Sequence, residues 1–112
     1  MLKTTHRLTK KKDFEVVFKK GELLKNDFLW LRIVKNHEQK SRFGFVVSKK
    51  VSAKATIRNK VKRRLRDAIS NQLKHIAKPA DVVIIALPGI EKKKFSEIQE
   101  AIMHSFKKLK LI

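Results

Sequence analysis

Residues 49–66 read Lys49-Lys50-Val51-Ser52-Ala53-Lys54-Ala55-Thr56-Ile57-Arg58-Asn59-Lys60-Val61-Lys62-Arg63-Arg64-Leu65-Arg66. Nine of these eighteen residues are Lys or Arg, and none is Asp or Glu. Apolar residues nevertheless recur through the run and beyond it, at Ile57, Val61, Leu65, Ala68, Ile69, Leu73 and Ile76. Steps of three and four place them on one face of an α-helix. A disordered basic tail has no reason to keep such a seam. The stretch is therefore a packed helix with a cationic outer side, expected over about Ile57 to Ile76, with Thr56 as its cap.

Working outward, the flanks alternate between strand and helix signals. Asp81 to Leu87 is the most apolar run and reads as a buried strand stopped by Pro88-Gly89. Upstream, Arg42 to Ser48 and Asp27 to Lys35 read as strands, and Glu22 to Lys25 as a short edge strand. The Phe28–Val34 stretch is almost continuously apolar, so both of its faces are expected to be covered at least in part. Asn36 to Ser41 is polar and suggests a hairpin-like connection. Before these strands, Lys10 to Lys20 has a helical face of Phe14, Val17 and Phe18, with Thr9 as N-cap and Gly21 as stop. Near the C-terminus, Phe95, Ile98, Ala101, Ile102, Ser105, Phe106 and Leu109 mark a last helix. Residues 1–8 read as a flexible basic arm. The result is α+β: one small domain over residues 1–112, with helices packed on a small sheet.

Composition narrows the partner. Lys and Arg number 29 against 10 Asp and Glu, a net charge of +19. Solubility needs only a few units of net charge, and self-repulsion at this level weakens the compact state until a polyanion neutralises it. Nucleic acid is the first candidate and an anionic membrane a distant second. There is no Cys, so disulfides and thiolate metal sites are excluded. No apolar run is long enough to span a bilayer. Met1 to Leu8 lacks the apolar core of a signal peptide, so a cytoplasmic location is expected.

Catalytic patterns are not evident. Gly21, Gly44 and Gly89 are far apart and form no phosphate-cradling loop. His6, His37, His75 and His104 lack metal-ligand spacing and read as surface or boundary histidines. Asp81 reads as a turn residue. The nucleic-acid pattern has more substance. Arg58, Lys62 and Arg66 share one helical row, with Asn59 and Arg63 on the next. Such a face can meet several phosphates at once, and Asn59 can bond a base or sugar edge. Phe14 and Phe18 admit two readings from spacing alone: helix core, or stacking platforms for unpaired bases.

The segment Val47-Ser48-Lys49-Lys50-Val51, followed by Ile57-Arg58-Asn59-Lys60-Val61-Lys62-Arg63-Arg64-Leu65-Arg66, resembles the signature of the bacterial ribonuclease P protein subunit. Leu8, Asp13-Phe14 with Phe18, Gly21, Phe43-Gly44 and Asp81-Val82-Val83-Ile84 before Pro88 match in order at compatible spacing. Lys60 stands where the family places Arg, which keeps the charge and loses the bidentate fork. Leu29 and Leu31 stand where relatives can carry an aromatic.

This resemblance implies an α-β-β-β-α-β-α sandwich, ribosomal protein S5 domain 2-like, with a left-handed β-α-β crossover, where chirality rules alone predict a right-handed one. It also implies a role. The protein assists a catalytic RNA in removing the 5′ leader of precursor tRNA, with one protein per RNA. Mg²⁺ is held mainly by that RNA and none tightly by the protein. Carried over by position, Lys49, Lys50, Arg58, Asn59, Lys60, Lys62, Arg63 and Arg66 face the catalytic RNA. Phe14, Phe18, Leu29, Leu31 and Val46 line a leader-binding cleft, which favours stacking for the two phenylalanines. A structural RNA-binding protein of ribosomal type and a DNA-binding architectural protein share the charge and size.

Overall fold

The computed structural model describes residues 2–36, 40–76 and 78–112. The elements follow as α1 (Lys11–Lys20), β1 (Glu22–Lys25), β2 (Leu29–Lys35), β3 (Arg42–Val46), α2 (Ala55–Gln72), β4 (Ala80–Ala86) and α3 (Phe95–Lys108). This is the α-β-β-β-α-β-α order. The strands form one four-stranded sheet in the order β1-β2-β4-β3. β1 and β2 are antiparallel, as are β2 and β4, while β3 runs parallel to β4 through the α2 crossover.

Strand order corrects one expectation. The polar stretch Asn36–Ser41 does not close a hairpin, because β4 lies between β2 and β3. The most apolar strand takes a central place, where both faces and both edges are covered. Of this stretch, residues 37–39, with His37 among them, lie outside the described residues.

Layers follow from strand alternation. On one face Leu29, Leu31 and Ile33 of β2, Val82, Ile84 and Ala86 of β4, and Phe43 of β3 are buried in the main core. Val61, Leu65, Ala68 and Ile69 of α2 and Ile98, Ile102 and Phe106 of α3 complete that core. The Phe43 and Phe106 rings stack at 6.1 Å between centroids. α1 covers the other face incompletely, through a smaller cluster of Leu8, Val17 and Val83 with Phe14, Val34, Val46 and Ile85 at its margin.

Helix ends depart from the expected caps. α1 starts after Lys10 and α2 after Lys54, and neither has a side-chain cap. Thr9 therefore lies one residue too early and Thr56 lies inside the helix. α2 ends at Gln72 and passes into a 3₁₀ turn over Leu73–His75. At Gly21 the backbone is extended, not left-handed. A Cβ there would collide with the Val17 carbonyl oxygen, so close approach is what demands glycine.

Residues 2–8 are packed on the body instead of standing off as an arm. Leu2 and Leu8 are buried, and Arg7 makes a parallel bridge to Phe43 on the outer edge of β3. The Leu8 N–H donates to the Phe43 carbonyl at 2.8 Å.

Candidate nucleic-acid interface

The basic helix divides as its periodicity requires. Val61, Leu65, Ala68 and Ile69 face the core, while Asn59, Lys60 and Arg63 are exposed and Lys62 and Arg66 half-buried. The first turn of α2 contains no acid, so its free N–H groups and the helix dipole add to the positive field. The preceding loop carries exposed Lys49 and Lys50. Two serines shape it: Ser48 Oγ accepts from the Lys50 N–H at 3.3 Å, and Ser52 Oγ accepts from the Lys54 N–H at 3.2 Å.

Arg58 is not simply displayed outward. Its Nη1 donates to the Ser52 and Ala53 carbonyls at 2.9 and 3.0 Å. One corner of the guanidinium thus fastens the lysine-bearing loop to α2. Arg64 turns away from the row, and its Nη1 donates to the Lys93 carbonyl at 3.1 Å.

Further along α2, Lys62 and Arg66 meet the N-terminal segment across the β3 edge. Arg7, Phe14, Phe45, Lys62 and Arg66 help to line a cleft of about 110 Å³ there. The Arg66 guanidinium lies 5.9 Å from the Phe45 ring centroid. Its Nε is buried and has no hydrogen-bond partner among the described residues. Arg7 is not singled out by the sequence pattern; its one signal is a basic residue just before Leu8, in a segment without periodicity.

Phe14 and Phe18 lie on the incompletely covered side of the sheet. Phe14 rests on β3 at Gly44, where an added Cβ would run into its ring. Phe18 is 41% exposed. Arg32 sits over its ring at 5.9 Å and donates from Nη1 to the Phe18 carbonyl at 3.3 Å. Val46 belongs to the same side, packed at the margin of the α1 cluster.

Leu29 and Leu31 do not belong to this surface. Both are 0% exposed in the opposite core, so no leader can touch them. Their half-buried neighbours Trp30, Arg32 and Val34 take the other face, by alternation. Arg32 is a second residue, after Arg7, that the sequence pattern did not single out. It was the one charge inside an otherwise apolar run, and it marked the outward phase.

Arg42 draws two of the ten acids, Asp13 and Asp81, into an internal network. Arg42 grips Asp81 bidentately, Nε to Oδ1 at 2.9 Å and Nη2 to Oδ2 at 2.7 Å. Its Nη1 reaches Asp13 Oδ2 at 3.4 Å, and Asn36 Nδ2 donates to Asp81 Oδ1 at 2.8 Å. Asp81 is thus a buried strand residue tying β4 to β3 and α1, not a turn residue. His6 Nδ1 donates to the Ser41 carbonyl at 2.8 Å, and His75 and His104 are exposed. Among the described residues, no three His, Cys, Asp or Glu converge as a metal site. None of the described helices is long and apolar enough to cross a membrane.

Cations along one flank with aromatic rings beside them make this an α+β module whose surface suits a polyanion. The family model described as Ribonuclease P matches residues 2–110. Over 111 residues the chain is 34% identical to the ribonuclease P protein component of Alkaliphilus metalliredigens, covering 99% of each. It is 37% identical over 109 residues to that of Brevibacillus brevis, covering 96% of this chain and 86% of the relative. The solved RNase P protein of Staphylococcus aureus superposes with a TM-score of 0.84 at 31% identity, covering 95% of this chain and 96% of that one. That of Thermotoga maritima gives 0.82 at 32% identity, covering 91% and 96%. The chain belongs to the ribonuclease P protein family, the protein components of a tRNA-processing ribonucleoprotein.

Proposed function

We propose that this chain is the non-catalytic partner of a ribonuclease P RNA and that it binds the 5′ leader of precursor tRNA. The observation that carries the reading is the cleft at the β3 edge. The Arg66 guanidinium lies 5.9 Å from the Phe45 ring, with Arg7, Lys62 and Phe14 around it. Unpaired nucleotides need such a combination: cations for phosphates and rings for bases. Phe18, Val46 and Arg32 continue the surface across the sheet towards β2. The catalytic RNA is met by Lys49, Lys50, Asn59, Lys60 and Arg63, with Arg58 both holding the loop and offering its remaining donors. Lys60 contacts phosphate as a point charge.

The chain supplies positioning and charge; bond cleavage and Mg²⁺ belong to the RNA. Asp13, next to Phe14 in sequence, and Asp81 are committed to Arg42. Lysine and arginine placed along the RNA relieve phosphate repulsion, so that less free Mg²⁺ is needed to hold RNA and substrate together. One protein acts per RNA.

The test is reconstitution with a ribonuclease P RNA at low Mg²⁺. Protein alone should leave precursor tRNA intact, and added protein should restore leader removal by the RNA. Failure to restore cleavage, with the protein folded and the RNA active at high Mg²⁺, overturns the reading. Copurification with ribosomal subunits in place of ribonuclease P RNA would favour the ribosomal alternative.

A further inference from the structure

A second positive surface lies at the opposite end of the strands from the signature loop. That loop follows the C-terminal end of β3, which is parallel to β4. At the other end, where β2 finishes and β4 begins, a cavity of about 530 Å³ is rimmed by Lys20, Lys35, Lys78 and Lys110. These lysines come from α1, β2, the turn before β4 and the segment after α3. All four are exposed, and none has an ion-pair partner among the described residues. Ile33 and Leu111 give the cavity an apolar floor, and among the described residues Glu22 is the one acid in its lining.

The backbone supplies an independent sign that the rim is kept for a purpose. Lys110 adopts φ 59°, in the left-handed region where glycine is favoured at a helix C-terminus. The Leu111 N–H reaches back to the Phe106 carbonyl at 2.9 Å and the Lys110 N–H to Lys107 at 3.1 Å, which fixes that turn. A lysine is therefore held in a conformation that costs stability, at the edge of a cationic cavity. Strain retained at such a place points to use.

We infer that this cavity is a second docking site for the catalytic RNA, taking backbone phosphates on its four lysines and a sugar or base edge on its apolar floor. This rests on the reading that the chain binds that RNA. A seven-residue strand at about 3.3 Å per residue separates the two positive ends by roughly 20 Å. Two such surfaces suit the larger, folded RNA; the single-stranded leader is served by the cleft between them.

The experiment measures affinity for ribonuclease P RNA alone, across a salt series, alongside Tm. Three variants are compared: Lys110→Gly, the double variant Lys35→Gln/Lys78→Gln, and Lys107→Gln as control. Lys107 lines a separate cavity with Glu97 and Glu100 on the outer side of α3. Lys110→Gly should bind several-fold more weakly while its Tm is equal or higher. Its salt slope should be shallower by about one unit, and that of the double variant by about two. Lys107→Gln should stay within about twofold of wild type.

Unchanged affinity and slope in both cavity variants, in protein that still supports cleavage, would overturn the proposal. So would an equal loss in Lys107→Gln, a lowered Tm in Lys110→Gly, or a loss confined to precursor tRNA binding. Wild-type protein that fails to bind the RNA would instead sink the functional reading on which this one rests.

Discussion

Arg58→Ala separates two roles that one residue combines here. The Arg58 Nη1 makes bonds of 2.9 and 3.0 Å to the Ser52 and Ala53 carbonyls. Hydrogen bonds to charged groups contribute about 1.5–3 kcal/mol net. Arg58 is only half-buried, so solvent competition places the pair near the lower end, about 1.5 kcal/mol. An unfolding entropy of about 2.1 cal/mol/K per residue converts that to roughly 6 °C in Tm for a chain of 112 residues. Loosening the loop also frees Lys49 and Lys50, which must then be ordered on binding at about 0.5–1.5 kcal/mol for each side chain. RNA affinity should fall by about 1–3 kcal/mol. Arg58→Lys should keep the salt slope of binding while still losing most of the Tm, because an ammonium cannot reproduce the fork. The assays are thermal unfolding and a salt series against ribonuclease P RNA. In a double-mutant cycle, Lys49→Gln should cost less in the Arg58→Ala background, with a coupling of at least about 0.5 kcal/mol. An unchanged Tm, together with strictly additive binding effects, would refute the clamp and leave Arg58 as a phosphate contact alone.

Three further outcomes are expected. Phe18→Ala should shrink the affinity difference between leader-bearing and mature tRNA by about 1–3 kcal/mol, with little change in Tm; lost Tm with the difference intact would return Phe18 to a packing role. Leu31→Ala should cost about 2–5 kcal/mol of stability and leave leader discrimination alone in the folded fraction; a selective loss of discrimination at unchanged stability would place Leu31 back in the cleft. Asp81→Asn breaks the grip on Arg42, whose partial exposure discounts the penalty to about 2 kcal/mol. Urea unfolding with an unmoved midpoint would show that the network contributes nothing.

Periodicity was readable where it reports burial directly. The α2 seam and the apolar β4 run were recovered because each has a single dominant environment. Residues 28–34 were harder, since an apolar side chain stood at almost every position and the alternation was masked. Arg32 alone betrayed which phase faces outward. Caps failed for a different reason: a threonine near a helix start is common, and nothing local says whether it is the last residue outside or the second inside. Leu2 and Leu8 show no period because their segment holds only a single 3₁₀ turn, Thr4–His6, and an isolated bridge at Arg7, so its packing on β3 left no signal. The cation row was visible, but the inward turn of one Arg58 nitrogen depends on the positions of two loop carbonyls. Only the folded chain brings these within reach.

Strand order was the feature least legible in the sequence, and it is the one that builds the cleft. A hairpin between β2 and β3 would bring those two strands together and leave β4 to pair elsewhere. β4 instead inserts between them and pushes β3 to the edge of the sheet. The N-terminal segment then lies along that edge through Arg7 and Phe43. α1 approaches from one face, resting Phe14 on Gly44. α2 approaches from the other, setting Arg66 over Phe45. Adjacent residues of one strand point to opposite faces, so Gly44 and Phe45 receive groups from different layers. An interior strand would keep those layers apart, with a neighbour closing the gap on each side. At an edge they meet around it, and stacking rings from one layer come within reach of cations from the other.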